Sequence, residues 1–197
     1  MPLLLQRHAY FIDSVIYLGA DMENKKLEQT TPKSNGEQLR MGQGSIANNK
    51  RIRKAMNEML LDMDPEYFVT VIFNRDTNYE AARRTLKAWH AFVDKALLGG
   101  SWSRKAQNER TQFVAFAEHM ESNLHWHLLL RLGDGADAAR FEAVADRCWK
   151  KLVISGSVHL RHLDTDEKKA CRANYGTKDL WQQRAIESFV LSREFKT

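Results

Sequence analysis

The sequence lacks the features that mark several classes of protein. Its two cysteines, Cys148 and Cys171, are too few for a disulfide framework or for a cysteine zinc site. No stretch approaches the roughly 18 consecutive apolar residues that a membrane-spanning helix needs. The short apolar run at the start is interrupted by Arg7 and Asp13 and lacks a basic leader, so we identify no secretion signal and expect a cytoplasmic protein. With 43% hydrophobic residues, the chain is not disordered as a whole.

A strong excess of charge of one sign is also missing. The chain has a small excess of positive charge, which lies in one part of the sequence. The 30 Lys and Arg residues outnumber the 25 Asp and Glu residues, which gives a formal net charge of +5. Residues 1–66 hold nine of each sign, so the whole surplus belongs to residues 67–197. Basic domains often bind nucleic acid, but many soluble domains are basic without doing so. Charge alone therefore favours a nucleic-acid partner only weakly.

The first third of the chain shows little regular pattern. Residues 23–49 are polar, contain one proline and three glycines, and have no sustained period, which predicts a loop or an arm. Residues 50–63 place apolar side chains at helical spacing, and Asp64-Pro65 ends that helix. We therefore predict an N-terminal extension over 1–66 with a helix near 50–63, followed by the main domain over 67–197.

From Tyr67 onward, strand patterns and helix patterns alternate. Runs of β-branched and aromatic residues predict strands at 67–73, 111–118, 124–132 and 157–163. Apolar residues at helical spacing predict helices at 79–98, 138–153 and 164–181, whereas the C-terminal tail is ambiguous. This order is that of the ferredoxin-like βαββαβ arrangement. We predict an α+β fold: an antiparallel sheet of four to five strands, with helices on one face and the active site on the other.

The stretch AEHMESNLHWHLLLRL contains a candidate metal site. Because side chains alternate along a strand, His125 and His127 point the same way, about 6–7 Å apart. The preceding strand ends near Glu118, and an antiparallel hairpin of this length would bring its carboxylate beside the two imidazoles. Two nitrogens and one carboxylate suit Mn²⁺ or Mg²⁺, and Zn²⁺ or Co²⁺ less selectively. Glu121 and His119, in the connection, are alternative third ligands.

An isolated pair of histidines two residues apart is more often part of a solvated strand face. Here the three leucines at 128–130 indicate a central strand instead of an edge, and a carboxylate lies where strand pairing requires it. Both features favour the metal site.

A second candidate element is Tyr175 with Lys178 in ANYGTKDL. Positions three apart share one face of a helix, so a phenol and an ammonium would be presented together. Such a pair could supply a nucleophile and a cation for a phosphate oxygen. A tyrosine that packs into the core beside a solvated lysine would give the same sequence. Gly176 between them costs up to about 1 kcal/mol in a helix interior, so we expect the backbone there to be loosened or closely approached.

These residues together resemble a known family. The strand HWHLLL, followed about 45 residues later by YGTK, resembles the HUH endonucleases. The chain is most similar to their single-tyrosine replication-initiator branch, which serves rolling-circle replication of plasmids, phages and small circular viruses. Three motifs of that branch occur in order: the hydrophobic strand FVTVIFN at 68–74, the histidine pair with Glu118 upstream, and the tyrosine-x-x-lysine of Tyr175 and Lys178. The first motif is loose.

The order of the motifs discriminates within the superfamily. Relaxases resemble this chain in the histidine cluster but usually carry their tyrosine near the N-terminus. Tyr10 and Tyr17 lie there, yet no lysine follows either at the same spacing. The replication-initiator order is therefore favoured over the relaxase order.

The resemblance implies a metal-dependent enzyme that nicks and rejoins single-stranded DNA at a replication origin. A metal held by Glu118, His125 and His127 would polarise the scissile phosphate, Tyr175 would attack it to leave a 5′-phosphotyrosine, and Lys178 would steady the charge. Host helicase and polymerase are candidate partners, in a bacterial or archaeal cell that carries a plasmid or phage. We expect the single strand to cross the sheet face, held by basic side chains: Arg104, Lys105, Arg110, Lys168, Lys169 and Arg172.

Three alternatives remain compatible with the sequence. One is a DNA-binding regulator on the same scaffold without catalysis, which the basic body also fits. Another is a relaxase or transposase type of HUH nuclease. The third is a different metal-dependent phosphodiesterase in which Tyr175 is only structural.

Overall fold

The computed structural model describes residues 50–178 and 189–195. Its helices and strands are, in chain order, α1 (50–62), β1 (Tyr67–Ile72), α2 (Tyr79–Leu98), β2 (Gln112–Glu118), β3 (His125–Arg131), α3 (Ala138–Lys150), β4 (Ser157–His162), α4 (Asp166–Gly176) and β5 (Phe189–Leu191). Short 3₁₀ turns occur at Trp102–Arg104, Gln107–Glu109 and Ser192–Glu194. The predicted loop at 23–49, Tyr10 and Tyr17 lie outside the described residues. No helix in the described ranges is long and apolar enough to span a membrane.

The five strands form one open sheet in the order β4-β1-β3-β2-β5, with every neighbouring pair antiparallel. This topology confirms the predicted α+β fold with a ferredoxin-like βαββαβ core. β3, which carries the histidine pair, is the central strand, as the leucine run predicted. The edge strand β5 comes from the C-terminal tail that the sequence pattern left ambiguous.

One face of the sheet, here called the helix face, is covered by α2 and α3. Trp89, Phe141 and Trp149 are fully buried there, as their helical spacing predicted. Phe92, another aromatic residue of the predicted helix at 79–98, is instead 40% exposed. It lies on the outer side of α2, because the neighbouring positions Trp89 and Val93 form the buried stripe.

The opposite face, here called the site face, has its own smaller core under α1 and α4. Met56, Met59 and Leu60 of α1 pack with Phe68 and Phe116 of the sheet. The methionines therefore fill gaps in a core, as expected for this flexible side chain. The helix that the sequence placed in the N-terminal extension thus contacts the sheet beside the helix that carries Tyr175.

Helix α4 is shorter than the sequence pattern predicted. It begins after Thr165, whose hydroxyl accepts a hydrogen bond from the Lys168 amide, and it ends at Gly176, not at residue 181. A Cβ atom at Gly176 would lie 2.9 Å from the ring of Phe116, so a side chain at this position would force that ring to shift. The ring of Phe116 thus approaches the backbone closely at Gly176, which was one of the two expectations for this glycine. Residues 177–178 form a turn, and residues 179–181 lie outside the described part.

Candidate metal centre and tyrosine site

The β2–β3 hairpin brings Glu118, His125 and His127 together on the site face. Glu118 and His125 are direct partners in the strand register, and His127 follows two residues later on the same face. The Nε2 atoms of the two histidines are 3.2 Å apart and lie 3.6 Å (His125) and 3.3 Å (His127) from Oε2 of Glu118. One ligand atom from each residue lies within 4.8 Å of the other two. This group, called the triad below, could hold a metal ion.

The two alternative third ligands are not in this group. Glu121 and His119 are both exposed in the 119–124 connection, where the chain turns through left-handed backbone at His119 and Asn123 (φ 52° and 50°). The His119 ring lies 5.2 Å from that of His125, next to the triad and outside it. Among the described residues, Glu118 is thus the carboxylate that completes the group.

Both histidines are oriented by the ring nitrogen that faces away from the triad. Nδ1 of His125 lies 3.2 Å from the Asn123 carbonyl oxygen, which can only accept a hydrogen bond, so this nitrogen carries a proton. Nδ1 of His127 lies 2.9 Å from Oγ1 of Thr70. Histidines that bind metals usually have such a partner on the second nitrogen, because it fixes the tautomer and leaves the first nitrogen free to coordinate.

Thr70 was not among the residues predicted from the sequence, although a signal for it was present. Thr70 is the one polar residue within the run FVTVIF, and it pairs directly with His127 in the β1–β3 register. A hydroxyl at a half-buried position of an otherwise apolar strand indicates a specific partner, since an unpaired polar group there is costly.

Helix α4 and the turn after it bring Tyr175 and Lys178 to the same point. The Tyr175 hydroxyl donates a hydrogen bond to Oε2 of Glu118 at 3.3 Å, and Nζ of Lys178 lies 2.8 Å from Oε1 of the same carboxylate. That ammonium is also 3.9 Å from the centre of the Tyr175 ring. The five residues predicted to carry the chemistry therefore meet at one site. Lys178 reaches it from the turn after α4, and not from a shared helical face as predicted.

The site is strongly polarised around the Glu118 carboxylate. Burial raises the pKa of Glu118, but its hydrogen bonds with His125, His127 and Lys178 outweigh burial and hold that pKa well below its usual value. The hydrogen bond to Glu118 in turn raises the pKa of His125. Burial lowers the pKa of Lys178, but hydrogen bonds to Glu118 and Tyr175 leave it raised. Glu118 is thus anionic and Lys178 cationic at neutral pH.

Phe68 of β1 packs between the functional side chains. Its ring stacks on His127 at 5.2 Å and meets Tyr175 edge to face at 6.1 Å. The guanidinium of Arg172, one turn before Tyr175 on α4, lies 4.9 Å from the Phe68 ring centre. Arg161 of β4 pairs with Phe68 in the strand register and is exposed on the same face. Two cations therefore lie beside the site, and only Arg172 was predicted from the sequence.

Helix α1 holds the C-terminal end of the tyrosine helix. The Asn57 amide donates a hydrogen bond to the Asn174 side-chain oxygen at 2.8 Å, and the Thr177 hydroxyl donates one to the Asn57 side-chain oxygen at 2.7 Å. Arg53 donates another to the Asn174 carbonyl at 3.3 Å. Because Asn174 and Thr177 flank Tyr175 closely, α1 contributes to the position of its hydroxyl.

The basic residues that were predicted to bind DNA fall into two groups. Lys168 and Lys169, on the first turns of α4, form ion pairs with Asp164 and Asp64, respectively. Together with Arg172 they lie on the helix that carries Tyr175.

The other three, Arg104, Lys105 and Arg110, precede β2, whereas Glu118 ends it. Gln112 and Glu118 are six residue steps apart along the strand, which corresponds to about 20 Å. The structure therefore does not bring this loop to the triad.

Comparisons of the chain with models of protein families, with curated proteins and with solved structures found no match.

Proposed function

We propose that this chain nicks and rejoins single-stranded DNA in a metal-dependent reaction through a covalent bond to Tyr175, as replication initiators of the HUH type do. The observation that carries the proposal is the 3.3 Å contact between the Tyr175 hydroxyl and Glu118 of the triad. It joins a candidate nucleophile to a candidate metal centre, although the two residues lie 57 positions apart in the chain. Lys178 adds a cation at the same carboxylate.

The triad fits a divalent metal. Its donor atoms are one carboxylate oxygen and two imidazole nitrogens, and both histidines have a hydrogen-bond partner on the other nitrogen. Three protein ligands leave coordination positions open for phosphate oxygens, a mixed set that suits Mn²⁺ or Mg²⁺. When bound, the ion would polarise the scissile phosphate and offset its developing charge.

The protein's own residues would carry out the transfer. The Tyr175 oxygen attacks the phosphorus, a new O–P bond forms to the 5′ side of the nick, and the bond from phosphorus to the 3′-oxygen breaks. The phenol loses its proton and the leaving 3′-oxygen gains one. Lys178, close to the Tyr175 ring, stabilises negative charge on the phenol oxygen. Attack by a 3′-hydroxyl on the phosphotyrosine reverses these steps and rejoins a strand.

The DNA strand would approach across the site face beside α4. Arg172 lies against Phe68 next to the triad, and Lys168 and Lys169 are on the same helix. Phosphate contacts by such side chains give sequence-independent affinity that falls with salt. The loop cations before β2 would reach only DNA that extends about 20 Å from the triad. An origin as substrate, and a host helicase and polymerase as partners, are part of the same proposal.

The decisive experiment traps the covalent intermediate. Purified full-length protein is incubated with Mn²⁺ and a library of single-stranded oligonucleotides, and protein–DNA adducts are separated under denaturing conditions and sequenced. We expect an adduct that depends on the metal and disappears in Tyr175→Phe. A library is used because it does not presuppose the target sequence.

Matched variants separate the alternatives. Tyr10→Phe and Tyr17→Phe should leave the adduct intact, and loss of the adduct in either would favour the relaxase order. An adduct that persists in Tyr175→Phe would refute the assigned nucleophile. DNA affinity that survives chelation, with no adduct from any library member, would favour a non-catalytic regulator.

A further inference from the structure

A basic cavity lies at the end of β2 that is farther from the triad. It has a volume of about 360 Å³ and is lined by residues of α2, of the loop before β2 and of the segment after β5. Two of its lining residues, His90 and Phe195, contact the ring of Phe113, which belongs to the core on the helix face. The cavity is therefore separate from the triad site: it lies at the opposite end of β2 and on the helix face of the sheet.

The cavity wall is cationic. Lys105, Arg110 and Arg193 line it, and none of the described lining residues is acidic, but Glu109 lies 2.9 Å from the Lys105 ammonium and offsets its charge. Arg193 is exposed and forms no ion pair within the described ranges. Burial lowers the pKa of His90 at the cavity wall, so its imidazole adds no charge at neutral pH.

The side chain of Arg110 is fixed by contacts with Asp94 and Trp102. Its Nε atom donates a hydrogen bond to the fully buried carboxylate of Asp94 at 2.8 Å, and its guanidinium lies 4.8 Å from the centre of the Trp102 ring. Asp94 is anchored in turn by the amide and hydroxyl of Thr111, at 3.0 and 2.7 Å. The two Nη atoms of Arg110 make no hydrogen bond within the described part of the chain. A guanidinium fixed in this way loses little entropy when it binds an anion, and its geometry matches phosphate.

The size and the lining indicate more than a bare anion site. A volume of about 360 Å³ lies in the range of small-molecule pockets. Phe195 is buried beneath the cavity, and the guanidinium planes of Arg110 and Arg193 offer surfaces on which a nucleobase can stack. We propose that this cavity binds a nucleotide through its phosphate group, either as a free mononucleotide or as one unit of a nucleic-acid strand. The strand case rests on the proposed DNA activity, whereas the mononucleotide case does not.

The test measures binding without catalysis. Full-length Tyr175→Phe protein in EDTA can neither bind a metal nor form the adduct, so the result is independent of whether the wild type nicks DNA. Thymidine monophosphate, inorganic phosphate and a short oligothymidylate are titrated separately, and amide chemical shifts of residues 105–111 and 192–195 report occupancy. Arg193→Gln removes one lining cation, and Lys150→Gln removes an exposed lysine of α3 as the matched control.

We expect at least one nucleotide probe to bind, with a dissociation constant raised about tenfold in Arg193→Gln and unchanged in Lys150→Gln. Saturation by thymidine monophosphate would identify a free nucleotide as ligand, and saturation by the oligonucleotide alone would identify a strand. The proposal is overturned if no probe shifts these amides or if Lys150→Gln weakens binding as much as Arg193→Gln. Equal affinity for inorganic phosphate and the mononucleotide would overturn the assignment to a nucleotide.

Discussion

Thr70→Val tests whether the triad is a metal centre, because it removes one hydrogen bond and leaves all three candidate ligands in place. Valine has nearly the same shape as threonine but cannot bond to Nδ1 of His127, which now lies 2.9 Å from the hydroxyl. Without that partner, the imidazole is free to rotate or to take the tautomer that protonates the nitrogen facing Glu118. Loss of such an outer partner typically weakens metal binding by about 10- to 100-fold, or about 1.4–2.8 kcal/mol.

The measurement is a calorimetric titration of the metal-free protein with Mn²⁺, together with thermal unfolding with and without the ion. A neutral hydrogen bond contributes only about 1 kcal/mol to folding, so the variant should stay folded. At a metal concentration of 100 times the wild-type dissociation constant, bound metal should stabilise the wild type by about 2.7 kcal/mol. The stabilisation of Thr70→Val at the same metal concentration should be smaller.

Two further variants act as controls for Thr70→Val. Thr70→Ser keeps the hydroxyl and should bind Mn²⁺ nearly as well as the wild type. Thr85→Val removes a hydroxyl that bonds to the Ala81 carbonyl within α2, away from the triad, and should leave the affinity unchanged. Wild-type affinity in Thr70→Val, or an equal loss in Thr70→Ser, would refute the assigned role of this hydrogen bond.

Three other predictions follow from packing, hydrogen bonding and burial. Gly176→Ala places a Cβ 2.9 Å from the Phe116 ring, so overpacking should lower the free energy of unfolding by about 1–3 kcal/mol in urea titrations, and an unchanged midpoint would contradict this close approach. Asn57→Ala removes two hydrogen bonds between α1 and α4, and adduct formation should fall in the trapping assay while Mn²⁺ affinity is kept; equal losses of both would show a general loss of structure. Burial lowers the pKa of His90 despite Asp94, so below about pH 6.5 the unfolded state gains a proton that the folded state does not. Stability should therefore decline from about pH 6.5 downward more steeply in the wild type than in His90→Gln, as measured by urea unfolding from pH 7 to 5, and parallel pH profiles would contradict the assignment.

Much of the fold and the centre of the site could be predicted because strand geometry is local. Alternation along HWHLLLR places both histidines on one face, and a short antiparallel hairpin leaves Glu118 as the partner of His125. Tyr175 was identified as a candidate through its spacing to Lys178 and through the family resemblance. Its position next to Glu118 depends on how α4 crosses the sheet, which residue spacing along the chain does not determine.

The parts that sequence did not predict depend on contacts between distant elements. Helix α4 ends at Gly176, where the Phe116 ring approaches the backbone closely, and a helical pattern that runs to residue 181 contains neither fact. The packing of α1 against α4 rests on Asn57, which is an ordinary surface residue by pattern alone. Similarly, a count of basic residues does not show that Arg110 is bound to a buried aspartate at the far end of β2.

The two oxygens of Glu118 explain how one residue can serve both halves of the site. Oε2 lies toward both imidazoles and the Tyr175 hydroxyl, whereas Oε1 lies 2.8 Å from the Lys178 ammonium. A metal bound to Oε2 can therefore be accommodated while the ion pair through Oε1 is kept. The same carboxylate would then hold the metal centre and the end of the tyrosine helix in register, so that nucleophile and metal approach a phosphate from fixed positions. Fixed placement of reacting groups is a large part of what an enzyme can contribute to phosphoryl transfer, because little other covalent chemistry is required of the protein.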